Sequence, residues 1–163
     1  MSDPQESPKS ECKELQTGRS KAPRGKKSLL IECYEQIPCN PCEAVCPVGA
    51  IEIAPSIIDI PALDMEKCTG CGLCVPACPG HAIFLFEELE SENSGTVSFS
   101  YEFLPRPKVG DTVIATDRNG QTLTPARVKS VRLNAKYNRT AVVTLEVPKD
   151  LLRDVRGLKL RKE

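Results

Sequence analysis

At 163 residues the chain has room for one ordinary domain or two small ones, and its formal net charge is zero. That balance hides three blocks. Residues 1–27 carry seven Lys/Arg against four acids, residues 28–90 one base against ten acids, and residues 91–163 fourteen bases against eight acids. Such asymmetry argues for separate modules with separate electrostatic roles, and no apolar run is long enough to cross a bilayer as a helix.

The first 27 residues, MSDPQESPKSECKELQTGRSKAPRGKK, are rich in Ser, Pro, Lys and Glu. They hold too little apolar surface to offset ordering entropy, so a flexible basic tail is expected, with Cys12 as an incidental free thiol. They also lack the apolar segment of a signal peptide. From Ser28 the pattern changes. SLLIEC reads as a short strand with Leu29, Ile31 and Cys33 on one face, and AIEIA, IIDIPALD and AIFLFEEL read as further short strands. Cysteine-rich stretches punctuated by Pro and Gly lie between them, with space for small turns and about one helical turn apiece.

ESENSGT, around residues 91–96, reads as a polar linker. Beyond it TVSFSYEFL, GDTVIATD, PARVKSVRL and RTAVVTLEV are strand-like runs rich in Val, Thr and Ile. DRNG (117–120) carries the Asn-Gly pair of a tight hairpin, and KYNRT (136–140) reads as another turn. Four or five strands here predict a small barrel or sandwich over 97–163, with a helical turn in VPKDLLRDVRGL.

Nine cysteines in so short a chain would mean a disulfide scaffold in a secreted protein. The count is odd, however, and seven of the nine have another cysteine two or three intervening residues away. A reducing, cytoplasmic setting with metal-bound thiolates fits better.

The cysteines form an internal repeat. A shift of 32 residues lays CNPCEAVCPVGAIEI (39–53) over CGLCVPACPGHAIFL (71–85), so Cys39, Cys42, Cys46 and Pro47 fall on Cys71, Cys74, Cys78 and Pro79. The mismatch is at Gln36, which falls on Cys68; the nearest cysteine, Cys33, is three residues early. Zinc held by thiolates usually takes two separated C-x2-C knuckles, whereas Cys68, Cys71 and Cys74 crowd three thiols into seven residues. Two-residue gaps let a turn present successive sulfurs to the corners of an iron–sulfur cube, and the proline after Cys78 ends that turn.

These residues resemble the bacterial-type ferredoxin domain with two [4Fe–4S] clusters, over about residues 28–90. The resemblance implies two βαβ-like halves around a cluster-filled core, hence an α+β ferredoxin-like domain followed by the all-β module. By the family's crossed pattern, Cys46, Cys68, Cys71 and Cys74 would bind one cluster, and Cys39, Cys42 and Cys78 the other, with Cys33 as its fourth ligand. The departure is a gap of five residues, YEQIP, between Cys33 and Cys39 in place of two. The slack permits ligation; the alternative is a buried strand residue on the face of Leu29 and Ile31, leaving three thiolates and a [3Fe–4S] cluster.

The sequence contains no G-x-G-x-x-G, P-loop or Ser-His-Asp arrangement, so neither flavin nor nicotinamide is expected on this chain alone. Its single histidine, His81, stands where the other half has Gly49 and reads as a turn or near-cluster residue, not a catalyst. Tyr34 and Phe84 read as core aromatics. The expectation is a non-catalytic subunit relaying single electrons, whose acidic block orients a basic partner.

ECYEQIPCNPCEAVCPVGAI also looks like the small iron–sulfur protein found with flavin-dependent amino-acid dehydrogenases of the proline, hydroxyproline or opine type. That resemblance implies a hetero-oligomer with flavin subunits that oxidise an amino or imino acid. The alternative is a stand-alone ferredoxin or redox sensor whose basic β-module, with RVKSVRLNAKYNR, binds nucleic acid.

Overall fold

The computed structural model describes residues 27–89, 93–133, 135–137 and 140–161. The basic tail with Cys12, the start of the expected linker (90–92) and the tip of the KYNRT turn (138–139) lie outside the described residues.

In the first part, β1 (Lys27–Ile31), β2 (Ile51–Glu52), β3 (Ala62–Leu63) and β4 (Ile83–Glu88) alternate with two single-turn helices, α1 (Pro41–Val45) and α2 (Cys74–Ala77). The second part is β5 (Ser94–Tyr101), β6 (Thr112–Thr116), β7 (Thr122–Leu133), β8 (Ala141–Pro148) and β9 (Gly157–Lys159). Seven strands form one sheet in the order β1-β4-β5-β8-β7-β6-β9, and β2 pairs with β3 apart from it.

The sheet crosses the boundary that composition draws near residue 90. β4 pairs antiparallel with β5, Leu85 opposite Ser98 and Glu88 opposite Gly95, so Ser94–Thr96 are already strand. Gly95 has a steric role there: a Cβ would lie 2.6 Å from Leu152 Cδ2. Burial explains why IFLF in β4 is an unbroken apolar run. Its residues alternate between two cores, Ile83 and Leu85 facing the cysteine segments, Phe84 and Phe86 facing the β-module. A strand buried on both faces has no polar side to show. Full burial of Ile83 and Phe86, each 1 % exposed, contributes about 1.5–3 kcal/mol apiece.

The sheet also curls. Leu152 and Val155, from the segment leading into β9, pack in the same core as Phe84, Phe86, Val113 and Leu145. Arg153 donates to Ser28 Oγ on β1 at 3.0 Å. The two ends of the sheet thus meet through side chains.

Three local expectations change. IIDIPALD yields only β3, because Ser56–Asp59 closes a turn, Asp59 accepting from the Ser56 amide at 2.9 Å. The last segment is turns over 149–154 followed by strand β9 on β6. β7 begins before Pro125, a residue that opposes Ile114 of β6 while the β8 ladder starts only at Arg127. Proline is tolerated on that half-unpaired stretch.

Candidate metal centre

The repeat visible in the cysteines is a repeat of geometry. α1 and α2 both end on a cysteine in extended conformation, Cys46 at φ −74, ψ 110 and Cys78 at φ −73, ψ 114. After each Cys-Pro the chain turns back. The Gly49 amide donates to the Cys46 carbonyl and the His81 amide to the Cys78 carbonyl, at 3.4 and 3.2 Å. One residue on, the amides of Ala50 and Ala82 donate to Cys46 Sγ and Cys78 Sγ at 3.2 and 3.4 Å. His81 has φ 51, matching φ 59 at Gly49, so it is a turn residue, with Nε2 3.2 Å from Glu102.

These turns bring the eight cysteines of residues 33–78 to two cavities. One is lined by Cys46, Cys68, Cys71 and Cys74, with Leu29, Val48, Ile51 and Leu73 as apolar wall. The other is lined by Cys33, Cys39, Cys42 and Cys78, with Ile31, Ile37 and Ile83. Each cavity takes three cysteines from one half and one from the other. They are similar in size, about 320 and 380 Å³ of empty space including the open mouths.

Cys33 sits past the end of β1, beside the cavity of Cys39, Cys42 and Cys78. Tyr34 is 49 % exposed beneath Arg118, not a core aromatic, because the chain has left the sheet by then. Phe84 is in the core as expected.

Among the described residues, no three His, Cys, Asp or Glu side chains converge where one metal ion would sit. The thiols ring their cavities instead, as the outer corners of a cube of iron and sulfide require. Their electrostatics fit a cationic guest. Burial pushes the Cys74 thiol up to about 12, with Cys68, Cys71 and Cys42 adding to the cost. Burial also raises Cys39, helped by Cys78 and Cys33, and Cys42, helped by Cys78 and Cys39. At Cys46 burial raises the pKa, but the amides of Ala50, Val48, Ile51 and Gly49 outweigh it, and the net shift is downward. Crowded thiols in an apolar pocket ionise readily only against compensating positive charge.

A family model described as a 4Fe-4S dicluster domain matches residues 37–102. Residues 37–102 are thus similar to a 4Fe–4S dicluster domain of the ferredoxin type. The match reaches through β5, the strand that joins the cysteine segments to the β-module, and begins after Cys33. Similar proteins include an uncharacterised ferredoxin of Methanocaldococcus jannaschii, 40 % identical over 74 residues, 45 % of either chain. A component of the ion-translocating oxidoreductase complex of Methanosarcina acetivorans is 49 % identical over 49 residues, 30 % of this chain and 17 % of that one. A component of the selenate reductase of Mesobacillus selenatarsenatis is 35 % identical over 80 residues, 48 % of this chain and 26 % of that one. The chain thus spans less than half the length of these relatives. No solved structure matches it.

What the sequence did not signal is the second contact of the Cys33 arm. Glu32, one residue earlier, accepts from Arg156 Nε and Nη2, both at 2.8 Å, and pairs with Arg118 as well. Burial opposes ionisation of Glu32, but the two guanidinium groups outweigh it and hold the carboxyl below its usual range.

Proposed function

We propose that the chain relays single electrons through two [4Fe–4S] clusters. Cys46, Cys68, Cys71 and Cys74 hold one; Cys33, Cys39, Cys42 and Cys78 hold the other. The observation that carries this reading is the crossed pair of four-cysteine cavities, whose walls touch along Ile31, Ile83, Leu29 and Ile51. Bound there, the clusters would each store and release one electron. The chain's own part is to supply the thiolates, direct the amides of Ala50 and Ala82 at two of the sulfurs, and keep water off with the apolar walls.

The partner in this reading is a flavin-dependent amino- or imino-acid dehydrogenase, of the proline, hydroxyproline or opine type, with this chain as its iron–sulfur subunit. Two of the relatives are themselves parts of larger oxidoreductases, the ion-translocating complex and the selenate reductase. A surface for such an assembly exists beside the cavity of Cys33. Ile37, Ile57, Ile58 and Ile60 are 40–53 % exposed there, and the Cys39 amide donates to the Ile57 carbonyl at 3.3 Å. Grouped exposed apolar side chains of this kind mark interaction sites.

The β-module is the docking or assembly element in this reading, not a nucleic-acid reader. Four of its cations are engaged by carboxylates: Arg118 and Arg156 by Glu32, Lys149 by Glu88 at 2.9 Å, and Lys129 by Glu146 at 2.9 Å. Anaerobic co-purification from the native cell tests the proposal, with iron, sulfide and flavin counted per chain. About eight irons per chain and a co-purifying flavoprotein are expected. A lone monomer without flavoprotein would overturn the subunit reading, and fewer than seven irons would overturn the two-cluster reading.

A further inference from the structure

The two cavities differ in how their outermost cysteine is held. Cys68 follows a capped turn: its amide donates to the Asp64 carbonyl at 3.1 Å, while Asp64 Oδ1 accepts from the Glu66 and Lys67 amides at 3.0 and 3.2 Å. The Cys33 arm has no such turn. The Glu32 amide makes the last backbone bond, to the Ala82 carbonyl at 2.7 Å. Among the described residues, no backbone–backbone hydrogen bond then involves residues 33–38 until the Cys39 amide meets Ile57. A thiol on so loose a segment would wander from its cavity.

Side chains of the β-module take the place of that turn. Arg156 lies on the segment before β9, and its own amide is tied to the Thr116 carbonyl at 2.8 Å. Its guanidinium is held from every side: Nη1 donates to the Arg153 and Val155 carbonyls at 2.7 and 2.8 Å, and its face lies 4.9 Å from the Phe84 ring. The remaining edge forks onto Glu32, and the pair is only 14 % and 13 % exposed. Arg118, in the β6–β7 hairpin, reaches the same carboxylate and lies 5.4 Å over the Tyr34 ring. The residues on both sides of Cys33 are therefore gripped from a module more than 80 residues away. Forked, half-dry arginine–carboxylate pairs fix geometry as well as charge.

We propose that Arg156 and Arg118 act as a clamp on Glu32 and Tyr34 that presents Cys33 to its cavity, making the β-module part of cluster assembly. The proposal rests on the reading of Cys33 as a ligand. Arg156 and Arg118 are positioning residues that touch no cluster ligand themselves. The clamp also accounts for the charge blocks of the sequence, since the basic module meets the acidic one here.

The test compares Arg156→Gln with Arg118→Gln, singly and together, and Cys33→Ser in the full chain purified anaerobically. Iron per chain, the electron paramagnetic resonance spectrum of the oxidised protein, and the rate of iron loss to a chelator are measured. With the clamp broken, the cavity of Cys33 is expected to lose iron about 10- to 100-fold faster, the usual scale for supporting contacts around a metal ligand. The signal of an oxidised three-iron cluster appears, while the cluster of Cys68 is retained. If Cys33→Ser changes neither iron content nor spectrum, the ligand reading itself falls. If Cys33→Ser shows the three-iron signal and the arginine variants match wild type, the clamp falls and the ligand reading stands. Should the arginine variants not fold, Glu32→Gln decides: it keeps the shape of the contact and removes its charge, and wild-type iron-loss kinetics there overturn the clamp.

Discussion

Gly49 and His81 occupy the same step of the 32-residue repeat and share a left-handed backbone, at φ 59 and φ 51. Only one of the two is glycine. A non-glycine residue in that region costs about 1–2 kcal/mol, and histidine is among the types found there more often. Gly49→Ala is expected to cost about that much, from backbone conformation alone, since a Cβ at Gly49 meets nothing within 4 Å. His81→Gly should come out neutral or stabilising, because the contact it forfeits, to Glu102, is largely solvent-exposed. Denaturant midpoints under anaerobic conditions check both. A clear loss in His81→Gly would show that the Glu102 contact, not the backbone, governs the site.

Gly70 lies between Cys68 and Cys71 with φ 66, and a Cβ there would stand 2.5 Å from Lys27 Cβ. Conformation and collision add, so Gly70→Ala should cost roughly 2–5 kcal/mol. It should also strip iron from the cavity of Cys68 first. Gly72, at φ 73, has its nearest obstacle 3.2 Å away at the movable end of Leu85. The expected order of damage is Gly70→Ala, then Gly72→Ala, then Gly49→Ala. Iron content and stability measured on the three variants give the ranking, and a larger loss at Gly49 than at Gly70 would contradict it.

Much of this is legible in the sequence itself. Cys46 and Cys78 carry the same Cys-Pro signal, and their backbone angles agree within a few degrees. The Asn-Gly pair marked the β6–β7 turn, where the Asp117 amide meets the Gln121 carbonyl at 3.0 Å and Gly120 has φ 73. Hidden from sequence was everything set by long-range pairing. Nothing local in Phe84 says it faces away from the cysteine segments, or that Gly95 admits Leu152. Of the partners of Glu32, Arg156 stands 124 residues off and Arg118 is also far along the chain, so no window of sequence could have joined them. β9, at Gly157–Lys159, is too short to carry a strand period and becomes a strand only because β6 offers it an edge.

Ser100 ties α2 to the sheet at one atom. Its hydroxyl donates to the Val75 carbonyl of α2 at 2.8 Å, and Ser100 is buried on β5. α2 has four residues, too few for its own hydrogen bonds to hold it. Ser100→Ala should therefore cost about 1–2 kcal/mol, the usual penalty of an orphaned buried acceptor, and loosen the segment that carries Cys74 and Cys78. Chelator-driven iron loss should quicken at both cavities, because α2 ends on a cysteine of each. Unchanged kinetics with lowered stability would place the bond in the β-module's stability alone.

Removal of the iron should separate the two cores. The core of Phe86, Val97, Phe99, Leu145 and Leu152 is wholly apolar and spread over long ladders. The other rests Leu29, Ile83, Leu85 and Val142 of the sheet against Cys42 and Cys74, and its cysteine side is carried only by two single-turn helices and two strands of two residues. Buried thiols with nothing between them leave that second core thin, and metal binding there is folding free energy. Hydrogen exchange on the anaerobic protein before and after chelation should show protection lost across residues 33–82 and kept in β5, β7 and β8. β1 and β4, which face both cores, should fall between. Equal loss of protection in β8 and in α1 would mean that the chain unfolds as one unit and that the β-module has no stability of its own.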